Sequence, residues 1–96
     1  MRPSEALAAK RDEVRAIIAR YPVTNPRIFG SVARGEDREG SDLDILVDAR
    51  RGTTYFDLGA LKIELERSLG VHVDIATPAA LPLSSESNVL DDVIGL

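Results

Sequence analysis

The chain has 96 residues, 44% apolar and 29% charged, so we expect one small folded domain over residues 1–96 and exclude a disordered protein. Twelve basic and sixteen acidic residues give a net charge of -4, which disfavours bulk binding to nucleic acid. The absence of cysteine, the single histidine and the lack of a long apolar run exclude disulfides, zinc sites built on cysteine or histidine, and a transmembrane helix, so we expect a cytoplasmic protein with no membrane association.

The first predicted element is a helix that begins at Ser4 and ends near Arg20. Proline disfavours helix in the residue before it, so Tyr21-Pro22 ends the pattern. We expect this helix to cover one face of a sheet. Its apolar residues recur at near-helical spacing: Leu7, Val14, Ile17 and Ile18.

A short strand is predicted next, at residues 27–29, and Gly30-Ser31 breaks it into a tight turn. The polar residues 35–41 predict a loop. Residues 43–47 carry leucine, isoleucine and valine, which favour a second strand.

The C-terminal half contains one more helix and one more strand by its pattern. Residues 56–69 interleave apolar and charged side chains as an amphipathic helix does, and Gly70 is placed to end it. Residues 71–76 predict a third strand, and residues 84–96 predict a last helix through Val89, Leu90, Val93 and Ile94.

Three aspartates are the candidate metal ligands. Asp42 and Asp44 are one residue apart at the start of the second predicted strand, and the two-residue period of a strand points both carboxylates to the same face. The two charges would repel each other and raise one pKa unless a cation such as magnesium (Mg²⁺) holds both ionised. Asp74 reaches the same cleft if the third strand pairs beside the second. A solvated turn is the alternative interpretation of the aspartate pair.

Gly30 and Ser31 are the candidate phosphate contacts. Gly30 lets the backbone approach phosphate oxygens without a Cβ, and Ser31 offers a hydroxyl and an amide at the start of a helix. Taken alone, this pair would favour a plain turn with a helix N-cap. Combined with the carboxylates, it predicts nucleotidyl transfer, in which metal-bound triphosphate reacts with a hydroxyl and Asp74 is the base.

The spacing of these motifs resembles a known signature. Gly30-Ser31, ten intervening residues and Asp42-Leu43-Asp44 are similar to the signature of the DNA polymerase beta-like nucleotidyltransferase superfamily. The residues that flank both motifs, with Val73-Asp74-Ile75 downstream, resemble the minimal nucleotidyltransferase, or MntA-type antitoxin, branch. This resemblance implies an α/β (α+β) fold, with a small mixed sheet and helices mainly on one face.

The resemblance also implies roles for the candidate residues. Asp42, Asp44 and Asp74 would be the catalytic carboxylates and the ligands of one or two Mg²⁺ ions, and Gly30 and Ser31 would bind the triphosphate. The implied reaction transfers AMP from ATP to a hydroxyl, that of a tyrosine, on a HEPN-domain (HepT-type) RNase toxin. The chain would then be the antitoxin of the pair.

Two other functions stay open at this point. The chain could neutralise its toxin by binding alone, or it could modify a small molecule, which the lack of a second, substrate-binding domain disfavours. For Arg34, a phosphate contact and a salt bridge to Glu36 or Asp37 are equally compatible with the sequence. We expect His72 to be structural rather than catalytic.

Overall fold

The computed structural model describes residues 1–80 and 93–96, which form three α-helices, one 3-10 turn and a four-stranded sheet. In chain order the elements are α1 (Pro3–Ile18), β1 (Val23–Phe29), α2 (Gly30–Ala33), β2 (Leu43–Ala49), α3 (Tyr55–Leu69), β3 (Val73–Ala76), the 3-10 turn (Pro78–Ala80) and β4 (Ile94–Gly95). The predicted small mixed α/β fold is therefore confirmed.

The sheet has the strand order β3-β2-β1-β4. β2 runs parallel to β3, whereas β1 is antiparallel to both β2 and β4. The parallel pair is joined by α3, as a parallel connection requires a crossover. The third strand therefore lies beside the second, as the interpretation of Asp74 assumed.

The core lies between the sheet and the helices α1 and α3, which pack on each other. Leu43, Ile45 and Val47 of β2 are fully buried and point into it. Because side chains alternate along a strand, Asp44, Leu46 and Asp48 point to the opposite face. Leu46 is buried there, while the two aspartates retain access to solvent. The aspartates of β2 thus lie on the face away from the helices.

The first helix begins earlier than predicted, at Pro3 with Arg2 as the capping residue. Ser4 is therefore inside the helix, and its amide donates a hydrogen bond of 2.9 Å to the carboxylate of Asp37. Asp37 is only 5% exposed. Burial alone would raise the pKa of Asp37, but the hydrogen bonds from Ser4 outweigh it and lower the pKa. The loop at residues 35–41 is therefore attached to the start of α1.

β1 is four residues longer at its start than the predicted strand at residues 27–29. A bulge between Thr24 and Arg27 interrupts its pairing with β2, and Asn25 has a φ of 52° within it. Pro26 follows, which lacks the amide that regular strand pairing uses. The bulge and the proline concealed the first half of the strand from pattern analysis.

The second long helix, α3, agrees with prediction within one residue. Thr54 and Asp57 form a capping box at its start, and Gly70 ends it with a φ of 72°. Leu61 and Leu65 are fully buried. Ile63, one of the apolar residues on which the prediction of an amphipathic helix rested, is instead 51% exposed. No helix within residues 1–80 and 93–96 is both long and apolar enough for a membrane crossing.

The predicted last helix is wrong at its end. Residues 84–92 of that prediction lie outside the described residues, but Ile94–Gly95 form β4 and not a helix. Ile94 pairs with Ile28 of β1, the Leu96 amide donates to the carbonyl of Pro26, and Arg15 Nε donates to the Leu96 oxygen at 2.8 Å. These contacts with distant residues override the local helical spacing.

Candidate functional site

Asp44 and Asp74 lie side by side on neighbouring parallel strands. The register of β2 and β3 pairs Asp44 with Asp74 directly, between the fully buried pair Leu43–Val73 and the pair Ile45–Ile75, in which Ile75 is partly buried. Residues paired in register point to the same face of a sheet. The structure therefore brings together two of the three predicted carboxylates, and the burial of the flanking pairs holds both strands in this register.

Asp42 lies immediately before β2 and is exposed. Its charge still reaches the pair: burial raises the pKa of Asp44 to about 6, and the carboxylates of Asp74 and Asp42 add to this rise. Arg34 acts in the opposite direction. The three predicted aspartates thus form one electrostatic group, centred on Asp44.

Gly30 is packed against the carboxylate of Asp44. Phe29, the last residue of β1, pairs with Asp44, and the chain then turns at Gly30 with a φ of 73°. A Cβ at Gly30 would come closer than 3.0 Å to Asp44 Oδ2 and within 3.2 Å of its Cγ. Only glycine fits both the backbone conformation and the space. Ser31 follows in the first turn of α2, so the predicted Gly30-Ser31 turn adjoins the aspartates.

The residues fit a divalent cation by the chemistry of their oxygens, but they are not arranged around one. Among residues 1–80 and 93–96, no three side chains of His, Cys, Asp or Glu are grouped as a metal site. The close approach of Asp44 and Asp74 is electrostatically unfavourable when both are ionised, and this repulsion adds to the effect of burial in raising the pKa of Asp44. Divalent magnesium bound by carboxylate oxygens would relieve that repulsion. Asp42, which is exposed and precedes β2, lies outside this in-register pair.

Arg34 was left open by the sequence, and the structure shows its ion pair. Its Nε lies 3.1 Å from Glu36 Oε2, and its side chain is 42% exposed. The ion pair is on the surface and contributes little to stability. Because Arg34 also lowers the pKa of Asp44, its charge acts on that carboxylate. The position of Arg34, three residues after Ser31, was the sequence signal that could have indicated this proximity to the site.

His72 does not join the aspartates. Its side chain is 82% exposed and Nδ1 lies 3.7 Å from Glu66 Oε2, while Glu66 also accepts a hydrogen bond from the Val73 amide at 3.0 Å. The His72 carbonyl accepts from the Leu43 amide in the ladder between β2 and β3. These contacts agree with a structural role. Asp37 was not predicted as a structural contact, because a carboxylate that caps a helix from 33 residues away leaves no local pattern.

The raised pKa of Asp44 makes a prediction for the metal-free protein. A carboxyl whose pKa is raised by folding stabilises the fold fully below its ordinary value of 3.8, and this stabilisation is lost as the pH rises to about 6. Asp44→Asn removes the buried charge. We expect the free energy of unfolding at about pH 7.5 to rise by about 1–2 kcal/mol, with no gain near pH 3.5. Urea unfolding in EDTA measures both.

Asp48→Asn is the control for this prediction, because it removes a carboxylate of the same strand and the same face. Hydrogen bonds from Asn25 and Arg27 lower the pKa of Asp48, so its loss should destabilise the protein at neutral pH. Opposite signs for the two variants are therefore expected. Equal stability of Asp44→Asn and the native chain at neutral pH would show that Asp44 carries no electrostatic penalty.

Sequence comparison identifies relatives of this chain. The model of the family described as the nucleotidyltransferase domain matches residues 11–96. A protein of Methanocaldococcus jannaschii, whose name proposes it as a protein adenylyltransferase, is 38% identical over 78 residues, which cover 81% of this chain and 84% of that protein. Protein adenylyltransferase MntA of Thermococcus cleftensis is 35% identical over 88 residues, which cover 92% and 86%.

Solved structures agree with these relatives. A structure described as a candidate minimal nucleotidyltransferase matches with a TM-score of 0.84 at 45% identity, over 97% of this chain and 95% of that chain. A toxin-antitoxin structure solved with AMP-PNP matches with a TM-score of 0.75 over 88% and 69%. At 19% identity, this second likeness concerns the fold alone.

Proposed function

The chain belongs to the nucleotidyltransferase domain family, and we propose that it transfers AMP from ATP to a hydroxyl of a cognate toxin protein in the cytoplasm, as the antitoxin of that pair. The observation that carries this proposal is the Asp44–Asp74 pair directly beside the Gly30 turn. A phosphate contact and an acidic pair within one small site are what the transfer of a nucleotidyl group requires.

The geometry supports separate roles for the two sides of β2, with nucleotide binding beside β1 and proton acceptance on β3. Gly30 and Ser31 follow the end of β1, and we propose that they bind the triphosphate there. Asp74 lies on β3, on the other side of Asp44. In the proposed reaction the acceptor hydroxyl oxygen bonds to the α-phosphorus, the bond to the β-phosphate breaks, and pyrophosphate leaves. Asp74 accepts the hydroxyl proton, because it is exposed and lies on the side away from the phosphate contacts.

The proposed metal ligands are Asp42, Asp44 and Asp74. Bound Mg²⁺, as one or two ions, would offset the charge of the triphosphate and polarise its α-phosphoryl group. The raised pKa of Asp44 supports this assignment, because a half-buried carboxylate with two acidic neighbours resists ionisation when no cation is bound. A net charge of -4 also leaves the free site unfavourable for a bare polyanion, so ATP would enter together with its magnesium.

The proposed acceptor is a protein rather than a small molecule. Protein adenylyltransferase MntA is a relative over most of both chains, and the structures with this fold include toxin-antitoxin complexes, which supports an acceptor of that class. The resemblance to the MntA-type branch extends the proposal to a HEPN-domain (HepT-type) RNase and to a tyrosine as the residue modified. Both assignments are part of the proposal.

Labelling with ATP tests the proposal directly. We expect the chain, with magnesium and the purified protein encoded beside its gene, to move label from α-labelled ATP onto that protein, and none from γ-labelled ATP, because the pyrophosphate leaves. EDTA should abolish the transfer. Mass spectrometry should locate AMP on a tyrosine. Label from the γ-position, or label on a small molecule alone, would contradict the proposed reaction.

A further inference from the structure

Two adjacent aromatic side chains at the start of α3 are almost fully exposed. Tyr55 and Phe56 are each 90% exposed, although the aromatic residues of this chain number only four. Single exposed apolar residues are common, but two neighbouring large rings are typical of a surface that a partner covers. Neither ring supports the fold, because α3 is held by Leu61, Leu65 and Leu69.

This aromatic pair is continuous with the candidate site. A cleft of about 530 Å³ runs over Tyr55 and Phe56 and is also lined by Thr54, Leu58 and Thr77. A second cleft, of about 360 Å³, shares Tyr55, Leu58 and Thr77 with the first. It follows α3 and the edge of β3 as far as Asp74. A groove therefore leads from the aromatic pair to the outer edge of β3 at Asp74, whose carboxylate lies on the face of the sheet away from α3.

The groove approaches the site from the acceptor side. The strand order places β1, which ends at the Gly30 turn, on one side of β2, and β3, which carries Asp74, on the other. The proposed triphosphate contacts are thus separated from the groove by the whole width of β2. A molecule that entered along the groove would meet Asp74 before it met Gly30, which suits an incoming hydroxyl better than the nucleotide.

Three basic side chains lie at or near the groove, beside the acidic Asp57 and Asp74, although the chain as a whole is acidic. Lys62 lines the groove beside Asp74. Ala49 and Thr53 line the larger cleft. Arg50 and Arg51 lie in the turn that connects these two residues. Within residues 1–80 and 93–96, no ion pair forms at any of these three cations. This charge is complementary to an acidic partner segment.

We propose that the groove between α3 and β3, with Tyr55 and Phe56 at its outer end, docks a segment of the acceptor protein. The segment would place an apolar side chain on the aromatic pair and acidic side chains near Arg50 and Arg51, and it would present its hydroxyl at Asp74. This inference rests on the proposed function and specifies where its acceptor binds.

The decisive variant is Tyr55→Ser with Phe56→Ser. Both side chains are exposed, and the capping box of Thr54 and Asp57 is kept, so the fold should persist. With the purified neighbouring gene product as acceptor, we expect the KM for that protein to rise at least about 10-fold, while kcat and the KM for ATP stay unchanged. Binding of the same protein without ATP should weaken by a similar factor, as measured by calorimetry.

Ile63→Ser is the matched control, because Ile63 is an exposed apolar residue of the same helix, 51% exposed, beside Arg20 and Tyr21 instead of the groove. It should leave both KM values unchanged. Arg51→Glu should raise the acceptor KM more at low salt than at high salt.

A raised KM for ATP with an unchanged acceptor KM would overturn the docking proposal and assign the aromatic pair to the nucleobase. Unchanged values for both would overturn it as well. If the native chain labels the acceptor and the aromatic variant does so equally, only the docking proposal fails. If the native chain neither binds nor labels the acceptor, the proposed function fails together with it.

Discussion

The double variant Asp42→Asn with Asp44→Asn is expected to lose nucleotidyl transfer by a factor of about 1,000 or more while keeping its fold. Both changes remove an ionised oxygen ligand, and Asp44 is also the centre of the electrostatic group and the contact of Gly30. Neither side chain belongs to the core. The initial rate of label transfer from α-labelled ATP at saturating acceptor measures the loss.

Asp48→Asn is the control for the rate measurement, because it removes a charge from the same strand and face at a distance of four residues from Asp44. Asp48 pairs with Arg27 at 3.2 Å and is not part of the acidic group. Its activity should stay close to that of the native chain. If the double variant still transfers label at the native rate, these two aspartates take no part in the mechanism.

The same double variant separates catalysis from simple binding. If the variant silences the RNase activity of the proposed toxin partner at the same stoichiometry as the native chain, neutralisation occurs by occlusion and the transfer of AMP is dispensable. We expect the contrary result: the variant binds the toxin but does not adenylylate it, and the toxin stays active. Binding and RNase activity are measured on the same samples.

Gly30→Ala is expected to cost both stability and activity. The left-handed backbone at φ 73° penalises any residue with a Cβ by about 1–2 kcal/mol. The added Cβ would also displace the Asp44 carboxylate, which it would meet at less than 3.0 Å. A shift of about 1 Å at a reacting centre is enough to lower the rate about 100-fold. Urea unfolding and label transfer measure the two effects.

Gly35→Ala isolates the second effect. Gly35 has nearly the same backbone conformation, φ 71°, but among the described residues no atom beyond those of its chain neighbours lies within 4 Å of the position that an added Cβ would take, so the substitution carries only the backbone penalty. The two variants should therefore lose similar stability and differ in activity. Equal loss of activity in both variants would mean that the contact between Gly30 and Asp44 has no role in the reaction.

Much of the fold followed from local patterns. α3 could be predicted to within one residue, because its leucines have helical spacing and Gly70 ends it. The family could be recognised from Gly30-Ser31 and Asp42-Leu43-Asp44, and the match of the family model over residues 11–96 confirms that recognition. Motifs of this kind can be recognised in a sequence because the chemistry requires particular residue types at a particular spacing.

Other features depended on residues far apart in the chain. The first half of β1 was missed because its bulge is stabilised by pairing with β2, and the end of the predicted last helix is a strand because β1 offers it a free edge. The cap that Asp37 provides for α1 and the exposure of Ile63 have the same character. Each is a contact between elements that no window of the sequence contains.

For the candidate site, the sequence by itself determined the residue types and the glycine at the turn, because these follow from chemistry, whereas the common face of Asp42 and Asp44 stays a prediction because Asp42 lies just before β2. Only the tertiary structure decided that Asp74 stands in register with Asp44 and that Gly30 touches its carboxylate. Strand order and register are set by the burial of side chains on the opposite face, which is a property of the assembled sheet.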